Sequence, residues 1–324
     1  MNVIDVHAHI VIEETLNTIQ GFGPEIGGNL EKPWFRVGNY KLEGVRYKNT
    51  PFMDVQLRLE AMEKMGIDFQ VLSPNPLTYF HFIDSRLALD YCRLHNDNLA
   101  KILLNNNKKL GGFASLPIQD PHLASKELER AVKQLGLMGA YVGTDFPSGF
   151  DDSSMDELYQ TCIELDVPLF IHPAPQGIES QKRDERLEKF SLDLTVGFSN
   201  EESIAIGSII FGGVLHKFPK LDICISHGGG SIAFLFGRME LAAKQRNSSP
   251  EWLRREGEFK KQIKMLWFDN HVHQKNSLKL LEGIVGKKRQ VLGTNFSGWD
   301  QPKEPLMNTP SYLAKNAKKL LRIN

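Results

Sequence analysis

Four histidines in this sequence stand in or directly after short apolar runs, where an imidazole could bind a metal or move a proton. His7 and His9 lie in DVHAH, His172 ends the run in PLFIHP, and His227 ends the run in DICISHGGG. Side chains alternate along a strand, so His7 and His9 would lie on one face and could share a divalent metal. One such histidine is usually structural, but four of them predict a shared polar site.

These histidines need a scaffold that brings the ends of the apolar runs together. Eight runs of strand length alternate with segments of helical period. The runs are residues 2–6, 69–73, 110–116, 138–143, 168–172, 221–226, 265–269 and 290–293. Eight strands, each followed by a helix, predict a (β/α)8 TIM barrel, in which all strand C-termini face one site. From the pattern alone, a doubly wound sheet is the alternative fold.

The segments with helical period and the longest irregular segment complete this organisation. Helices are predicted in residues 54–66, 122–136, 154–166, 276–286 and 311–321. Residues 21–50 are rich in Gly, Asn and aromatic side chains and have no clear period. A segment of this kind after the first strand predicts a loop insertion over the active-site face of one domain spanning residues 1–324.

Composition excludes several classes of partner. The chain has 39 basic and 39 acidic residues, so no field of one sign directs it towards nucleic acid or an anionic membrane. Cys92, Cys162 and Cys224 form no C-x-x-C pair, which indicates buried thiols in a reducing compartment. No apolar run approaches the ~20 residues that span a bilayer. We therefore expect a cytoplasmic protein that acts on a small molecule.

The order of the motifs resembles the amidohydrolase superfamily. DVHAH, FIHP, FGGVLHKFPKLDICISHGGG and VLGTN follow one another along the chain, and the long block around His227 is the specific match. More narrowly, the chain is similar to the branch that contains aminocarboxymuconate-semialdehyde decarboxylase and the aromatic-acid decarboxylases. This resemblance implies a barrel of the metal-dependent hydrolase type and a homodimer.

The resemblance also implies roles for particular residues. A divalent metal, usually zinc with manganese as the alternative, would be held by His7, His9, His172 and position 295. His227 would be the acid/base group beside the metal. Arg46 would grip a substrate carboxylate, and Arg238 and Arg246 would reach the site of a neighbouring subunit. A guanidinium suits a carboxylate because its planar fork donates two parallel hydrogen bonds.

The chain departs from the family pattern at position 295, where Asn295 replaces an aspartate. An amide oxygen is a weaker ligand than a carboxylate, and an amide cannot act as a base near neutral pH. In one interpretation, which we favour, the three histidines suffice, as they do in some catalytic zinc sites. In the second, a carboxylate of Asp145 or Asp300 compensates. In the third, the site has lost its reaction and only binds a ligand.

Together these features predict a metal-dependent, non-oxidative decarboxylase of a small unsaturated or aromatic carboxylic acid, with no organic cofactor. The alternative within the superfamily is a hydrolase or hydratase of a lactone, a C–C bond or an unsaturated diacid. A non-catalytic binding protein is the third hypothesis. A second H-x-H, formed by His271 and His273, lies past the seventh strand, and His273 matches a structural position of the family. We therefore assign no metal to it.

Overall fold

The computed structural model describes residues 1–179 and 184–323. Their strands are β1 (Ile4–Ile10), β2 (Glu25–Gly28), β3 (Pro33–Val37), β4 (Tyr40–Glu43), β5 (Phe69–Pro74), β6 (Leu110–Gly112), β7 (Ala114–Ser115), β8 (Ala140–Val142), β9 (Leu169–Ile171), β10 (Ile223–Ile225), β11 (Trp267–Asp269) and β12 (Gln290–Val291). Each of the eight predicted runs contains a strand, and β6 and β7 are two parts of one run. The predicted strand positions are therefore confirmed.

The helices alternate with these strands. They are α1 (Val55–Met65), α2 (Ser85–Leu104), α3 (Pro121–Leu135), α4 (Asp156–Glu164), α5 (Phe198–Phe211), α6 (Val214–Lys217), α7 (Ile232–Gln245), α8 (Glu258–Ile263), α9 (Lys275–Val285) and α10 (Ser311–Leu321). Local signals set their bounds: the Asp120 side chain accepts a hydrogen bond from the third residue of α3, and Gly136 ends that helix at φ +70°. The five helices predicted from the sequence are confirmed.

The sheet topology is that of a barrel. β1, β5 and β6 pair in parallel, and β7 to β12 pair in parallel in chain order. Isolated parallel bridges, Asp5 to Leu292 and Ala8 to Phe296, join β1 to the segment around β12. This order confirms the (β/α)8 prediction, because a doubly wound sheet would leave its first and last strands unpaired with each other.

Apolar side chains fill the barrel strands. Phe113, Tyr141, Phe170 and Trp267 are fully buried and belong to one cluster. A second cluster lies between the strands and the surrounding helices. All three cysteines are buried and free. Within the described residues, no helix is long and apolar enough to cross a membrane.

The segment after β1 is more regular than its composition predicted. β2, β3 and β4 form an antiparallel sheet, and Phe35, Val37 and Tyr47 pack in a separate cluster with Phe80 and Tyr91. Tyr40 and Tyr47 line a cavity that also contains His9 and His172. The insertion therefore covers the face where the strand C-termini converge, as predicted, but as a small sheet and not as an irregular loop.

Candidate metal centre

The strand that carries the first two histidines is irregular and internally braced. The register of the pairing between β1 and β5 shifts between Asp5 and Ala8, so the strand pairing is irregular there. Asp5 is fully buried, and its carboxylate accepts hydrogen bonds from Gln70 Nε2 at 2.8 Å and Thr294 Oγ1 at 2.6 Å. Burial raises the pKa of Asp5 to about 6 against the effect of these hydrogen bonds. Asp5 thus ties the start of β1 to its two neighbours and fixes the strand that positions His7 and His9.

Three imidazoles converge at the C-terminal ends of β1 and β9. Nε2 of His7 lies 3.3 Å from Nε2 of His9, and one nitrogen each from His7, His9 and His172 lies within 4.8 Å of the others. The opposite ring nitrogens are held by the protein. His9 Nδ1 donates to the Pro74 carbonyl at 3.1 Å, and His172 Nδ1 donates to the Pro173 carbonyl at 2.8 Å. Because a carbonyl only accepts, Nε2 of each of these rings carries the lone pair.

His7 is oriented in the same way by a carboxylate. Its Nδ1 donates to Asp269 Oδ2 at 2.7 Å, and both side chains are fully buried. A metal-binding histidine typically donates its second nitrogen to such a group, which fixes the tautomer and the ring orientation. Burial is the main cause that lowers the pKa of His7 and His172 well below 6.5 and that of His9 to about 3. All three rings are therefore neutral, as metal ligands must be.

The three nitrogens fit a divalent metal. In a tetrahedral zinc site with Zn–N bonds of ~2.0–2.1 Å, ligand atoms stand about 3.3 Å apart. His7 Nε2 and His9 Nε2 are also 3.3 Å apart. Both atoms carry a lone pair and no hydrogen, so they do not form a hydrogen bond with each other. His172 Nε2 is buried and has no hydrogen-bond partner in the described part of the chain. A cation between the rings would satisfy all three atoms, whereas an empty site leaves buried acceptors unpaired.

His227 stands beside this group at the end of β10. Its ring centroid lies 4.9 Å from those of His7 and His172, and its Nδ1 donates to Glu202 Oε1 at 2.7 Å. Burial acts to lower the pKa of His227, but Glu202 and the more distant carboxylates of Asp269 and Asp300 together raise it to about 9. His227 therefore takes up a proton more readily than the three converging rings do.

A glycine turn holds His227 against its carboxylate. Gly230 follows with φ +62°, and a Cβ built there would lie 2.3 Å from the Ser199 carbonyl oxygen and 2.9 Å from Glu202 Oε2. Only glycine allows this backbone to approach α5 so closely in a left-handed conformation. Gly230 thus brings the turn after β10 close to α5 at the site.

Asn295 is linked to a carboxylate. It is 8% exposed, and its Nδ2 donates to Asp300 Oδ1 at 2.6 Å. Because a carboxylate accepts and does not donate, this contact fixes the amide so that Oδ1 is the atom that can bind a metal. Burial would raise the pKa of Asp300, but hydrogen bonds from His271 and Asn295 and the positive charge of His227 hold it well below its usual range. A negatively charged carboxylate therefore lies directly beside Asn295, five residues later in the sequence.

The other proposed substitute does not reach this region. Asp145 is exposed, and its Oδ2 accepts a hydrogen bond from the Gly177 amide at 2.9 Å. It lines neither the cavity that contains His9 and His172 nor the cavity that contains His227. Of the two carboxylates considered from the sequence, the structure favours Asp300.

Replacing Asn295 with aspartate is expected to destabilise the metal-free protein. Two carboxylates would then face each other, and like charges ~4 Å apart at a partly buried site cost up to about 4 kcal/mol. Their repulsion raises the pKa of the pair, so the loss of stability is absent at low pH and grows as the pH rises through that pKa. Urea unfolding of the variant and the wild type at about pH 5 and about pH 8 measures this difference.

The control exchanges the two groups. Asn295→Asp combined with Asp300→Asn restores one carboxylate and one amide, so it is expected to recover most of the lost stability. If Asn295→Asp alone is as stable as the wild type at about pH 8, the pairing of Asn295 with Asp300 does not explain the substitution.

Two cavities meet at Asn295. The first has a volume of about 400 Å³, is mostly apolar and is lined by His9, His172, Tyr40, Leu42, Tyr47, Leu77, Phe198 and Trp299 among others. The second has a volume of about 470 Å³ and is lined by His227, His271, His273, Asp300, Ser231 and Leu281 among others. Among the described residues, no arginine or lysine lines either cavity. Aromatic walls above a polar floor suit a small planar ligand.

The predicted arginines lie outside these cavities. Arg46 is exposed, its Nε donates to the Lys48 carbonyl at 3.2 Å, and it lines two neighbouring cavities that share Val45 and Tyr47 with the first. Arg238 on α7 and Arg246 just after it are also exposed. The structure thus brings together the four histidines and Asn295 but not the three arginines, whose predicted contacts stay predictions.

Sequence reasoning missed two carboxylates that position the imidazoles. Asp269, which contacts His7, is the last residue of β11, and an acidic residue at a barrel strand end was a usable signal. Glu202, which contacts His227, is fully buried although it lies in the polar stretch SNEES near the start of α5. A polar stretch of this kind predicts a solvated helix end, so the sequence offered no signal for this buried pair.

Comparison with known proteins gives the family. The amidohydrolase family model matches residues 4–321. The chain belongs to the amidohydrolase family. It is 30% identical to 2-amino-3-carboxymuconate-6-semialdehyde decarboxylase of Dictyostelium discoideum over 90% of this chain and 81% of that protein. It is 29% identical to gamma-resorcylate decarboxylase of Polaromonas sp. over 73% of this chain and 70% of that protein.

Solved structures agree on the fold. 5-carboxyvanillate decarboxylase from Sphingomonas paucimobilis superposes with a TM-score of 0.75 at 21% identity over 85% of both chains. Dihydroxybenzoic acid decarboxylase from Polaromonas sp. was solved with manganese and the inhibitor 2-nitroresorcinol. It superposes with a TM-score of 0.74 at 22% identity over 99% of this chain and 97% of that one. The amidohydrolase barrel predicted from the motifs is confirmed.

Proposed function

We propose that this protein is a divalent-metal-dependent, non-oxidative decarboxylase of a small aromatic or unsaturated carboxylic acid. The observation that carries the proposal is that three neutral imidazoles converge and that a fourth, His227, stands beside them and contacts Glu202. Decarboxylation replaces carbon dioxide with a proton. This reaction requires neutral metal ligands and a proton donor at one site. The names of the related decarboxylases support the same reaction class.

In this proposal each side chain has a defined task. His7, His9, His172 and Asn295 would hold the metal, which would supply a Lewis acid for the negative charge on the substrate. The bond between the carboxyl carbon and the rest of the substrate breaks, and its electron pair stays on the substrate carbon. His227 gives its proton to that carbon, carbon dioxide leaves, and water reprotonates the imidazole. No redox cofactor is needed, because the carbon–hydrogen bond formed balances the carbon–carbon bond broken.

Replacing Glu202 with glutamine is expected to move the alkaline limb of the pH–kcat profile to lower pH. Burial lowers the pKa of His227, and the negative charge of Glu202 is the largest influence that raises it. Imidazolium is present below this pKa, so a lower pKa removes the proton donor at a lower pH. Steady-state rates of both proteins from about pH 5 to about pH 10 measure the shift. A limb that does not move contradicts the assignment of His227 as the acid.

We assign zinc in preference to manganese. Three imidazoles dominate the donor set, and imidazole suits zinc. The amide oxygen of Asn295 is a hard but neutral ligand, so the site lacks the charged carboxylate that position 295 provides in the family pattern. Zinc is therefore expected to support the higher activity at equal loading.

We further propose that the protein works as a homodimer. Phe234 and Leu241 on α7 are 84% and 53% exposed, and an exposed apolar face is typical of a subunit interface. Arg238 lies on the same helix and Arg246 follows its end. Because no described cation of this chain lines the two cavities, the partner's arginines are suited to bind the substrate carboxylate there. We propose that Arg46 binds the same substrate carboxylate from the edge of the first cavity.

Release of carbon dioxide tests the reaction. Protein loaded with zinc or manganese is incubated with 2,6-dihydroxybenzoate, 5-carboxyvanillate and an aminocarboxymuconate semialdehyde, and carbon dioxide is quantified. We expect release from at least one acid, and loss of release in His9→Gln at equal protein concentration. No release from these acid classes by the metal-loaded protein would contradict the proposed reaction.

A further inference from the structure

A second group of possible metal ligands lies next to the three imidazoles. His271 and His273 follow β11, and the Nε2 atoms of both approach Asp300 Oδ2, at 3.0 and 3.2 Å. One ligand atom from each of the three residues lies within 4.8 Å of the others. The proposed proton transfer uses none of these three side chains as a reactant.

The spacing fits a metal as well as it fits a hydrogen-bonded cluster. Ligand atoms of a tetrahedral zinc site with bonds of ~2.0–2.2 Å stand about 3.3 Å apart, close to both nitrogen–oxygen distances. The ring planes of His271 and His273 cross at 79° with centroids 4.8 Å apart, so the rings do not stack. This orientation lets both rings direct an edge at one carboxylate oxygen.

The environment has one closed and one open side. The His271 and Asp300 side chains are 4% and 9% exposed, whereas that of His273 is 59% exposed. All three residues line the cavity of about 470 Å³ that also contains His227. A cation held here would have protein ligands on one side and free coordination positions towards the cavity, which is the arrangement of an open metal site.

The two oxygens of Asp300 face different groups. Oδ2 approaches the two histidines, and Oδ1 accepts the hydrogen bond from Asn295 Nδ2 at 2.6 Å. An aspartate at position 295 would offer no donor to Asp300. Asn295 therefore holds Asp300 towards the histidine pair.

We propose that His271, His273 and Asp300 form a second divalent-metal site that borders the first. Two imidazoles and one carboxylate are donors that suit zinc, cobalt and nickel. The ring centroids of His7 and His271 are 5.9 Å apart, so the two sites are neighbours, and Asn295 lines the cavity beside each of them. The proposal goes beyond decarboxylation and does not depend on it.

Metal stoichiometry tests the second site. Protein stripped with a chelator is equilibrated with zinc, freed of loosely bound ions by gel filtration and measured by elemental analysis. The wild type is expected to hold about two equivalents per chain, and His273→Gln and His271→Gln about one each. His172→Gln is expected to hold about one, because the second site loads without the first. Cobalt absorption spectra are expected to lose one of two components in each variant.

A matched control removes another imidazole that pairs with a carboxylate. His122 is exposed and lies 2.9 Å from Glu157, but it has no third ligand in the described structure. His122→Gln is expected to keep about two equivalents, and circular dichroism verifies that each variant is folded. About one equivalent in the wild type, or about two in folded His273→Gln, would overturn the proposal. Neither result bears on whether the first site decarboxylates, which carbon dioxide release measures separately.

Discussion

Replacing His227 with asparagine is expected to lower kcat for decarboxylation by about 10²- to 10⁴-fold, the range usually contributed by a general acid. Asparagine can still donate to Glu202, which His227 Nδ1 contacts at 2.7 Å, but it has no proton to give to carbon. Because His227 is not among the three converging ligands, the metal content is expected to stay at the wild-type value. Elemental analysis alongside steady-state kinetics separates loss of the acid from loss of the metal.

The control for this variant is an imidazole remote from the site. His216 is exposed and stacks on Trp252 with ring centroids 4.2 Å apart. His216→Asn removes the same group from the surface and is expected to keep kcat within about twofold. If His227→Asn retains kcat within about tenfold with full metal content, the proton comes from another donor and the role given to His227 is wrong.

Replacing His172 with glutamine is expected to abolish tight metal binding at the first site and to reduce activity by more than about 100-fold. Loss of a group that only orients a metal ligand already lowers metal affinity or activity by about 10- to 100-fold. His172 offers a ligand atom directly, so its loss is expected to cost more. Its Nε2 is buried without a hydrogen-bond partner among the described residues, so this atom contributes little to the metal-free fold. The variant should therefore be nearly as stable as the metal-free wild type.

Thermal unfolding with and without zinc provides a readout that does not depend on substrate. Metal that binds only the folded state raises Tm, and the rise grows with metal concentration. The wild type is expected to gain more stability from zinc than His172→Gln does, since the variant keeps only the second site. An equal gain in both proteins would mean that His172 is not a metal ligand.

The barrel and its histidines could be predicted because local pattern determines them. Each strand is a short run buried on both faces. His7 and His9 lie in the second half of β1, and His172 and His227 closely follow β9 and β10. The C-terminal ends of barrel strands converge by topology, so sequence position alone placed His7, His172 and His227 together. The helices α3 and α10 have clear apolar periods and were predicted almost to the residue.

The features that were missed depend on contacts between distant residues. Glu202 meets His227 across 25 positions, and Asp269 meets His7 across 262. Neither pairing follows from spacing, because it depends on how α5 and β11 pack against the barrel. The sheet of β2 to β4 was missed because glycine and aromatic residues mask its alternation. The pairing of Asn295 with Asp300 spans five residues but requires the left-handed turn at Asn295, with φ +48°.

The most direct measurement follows the isotopes of the reaction. The metal-loaded protein is incubated in deuterium oxide enriched in oxygen-18 with the acid that releases carbon dioxide, and the product is analysed by NMR and mass spectrometry. Decarboxylation with proton delivery by His227 predicts one deuterium on the carbon that lost its carboxyl group and no solvent oxygen in the product. Oxygen-18 in the organic product would show hydrolysis or hydration instead and would contradict the proposed function.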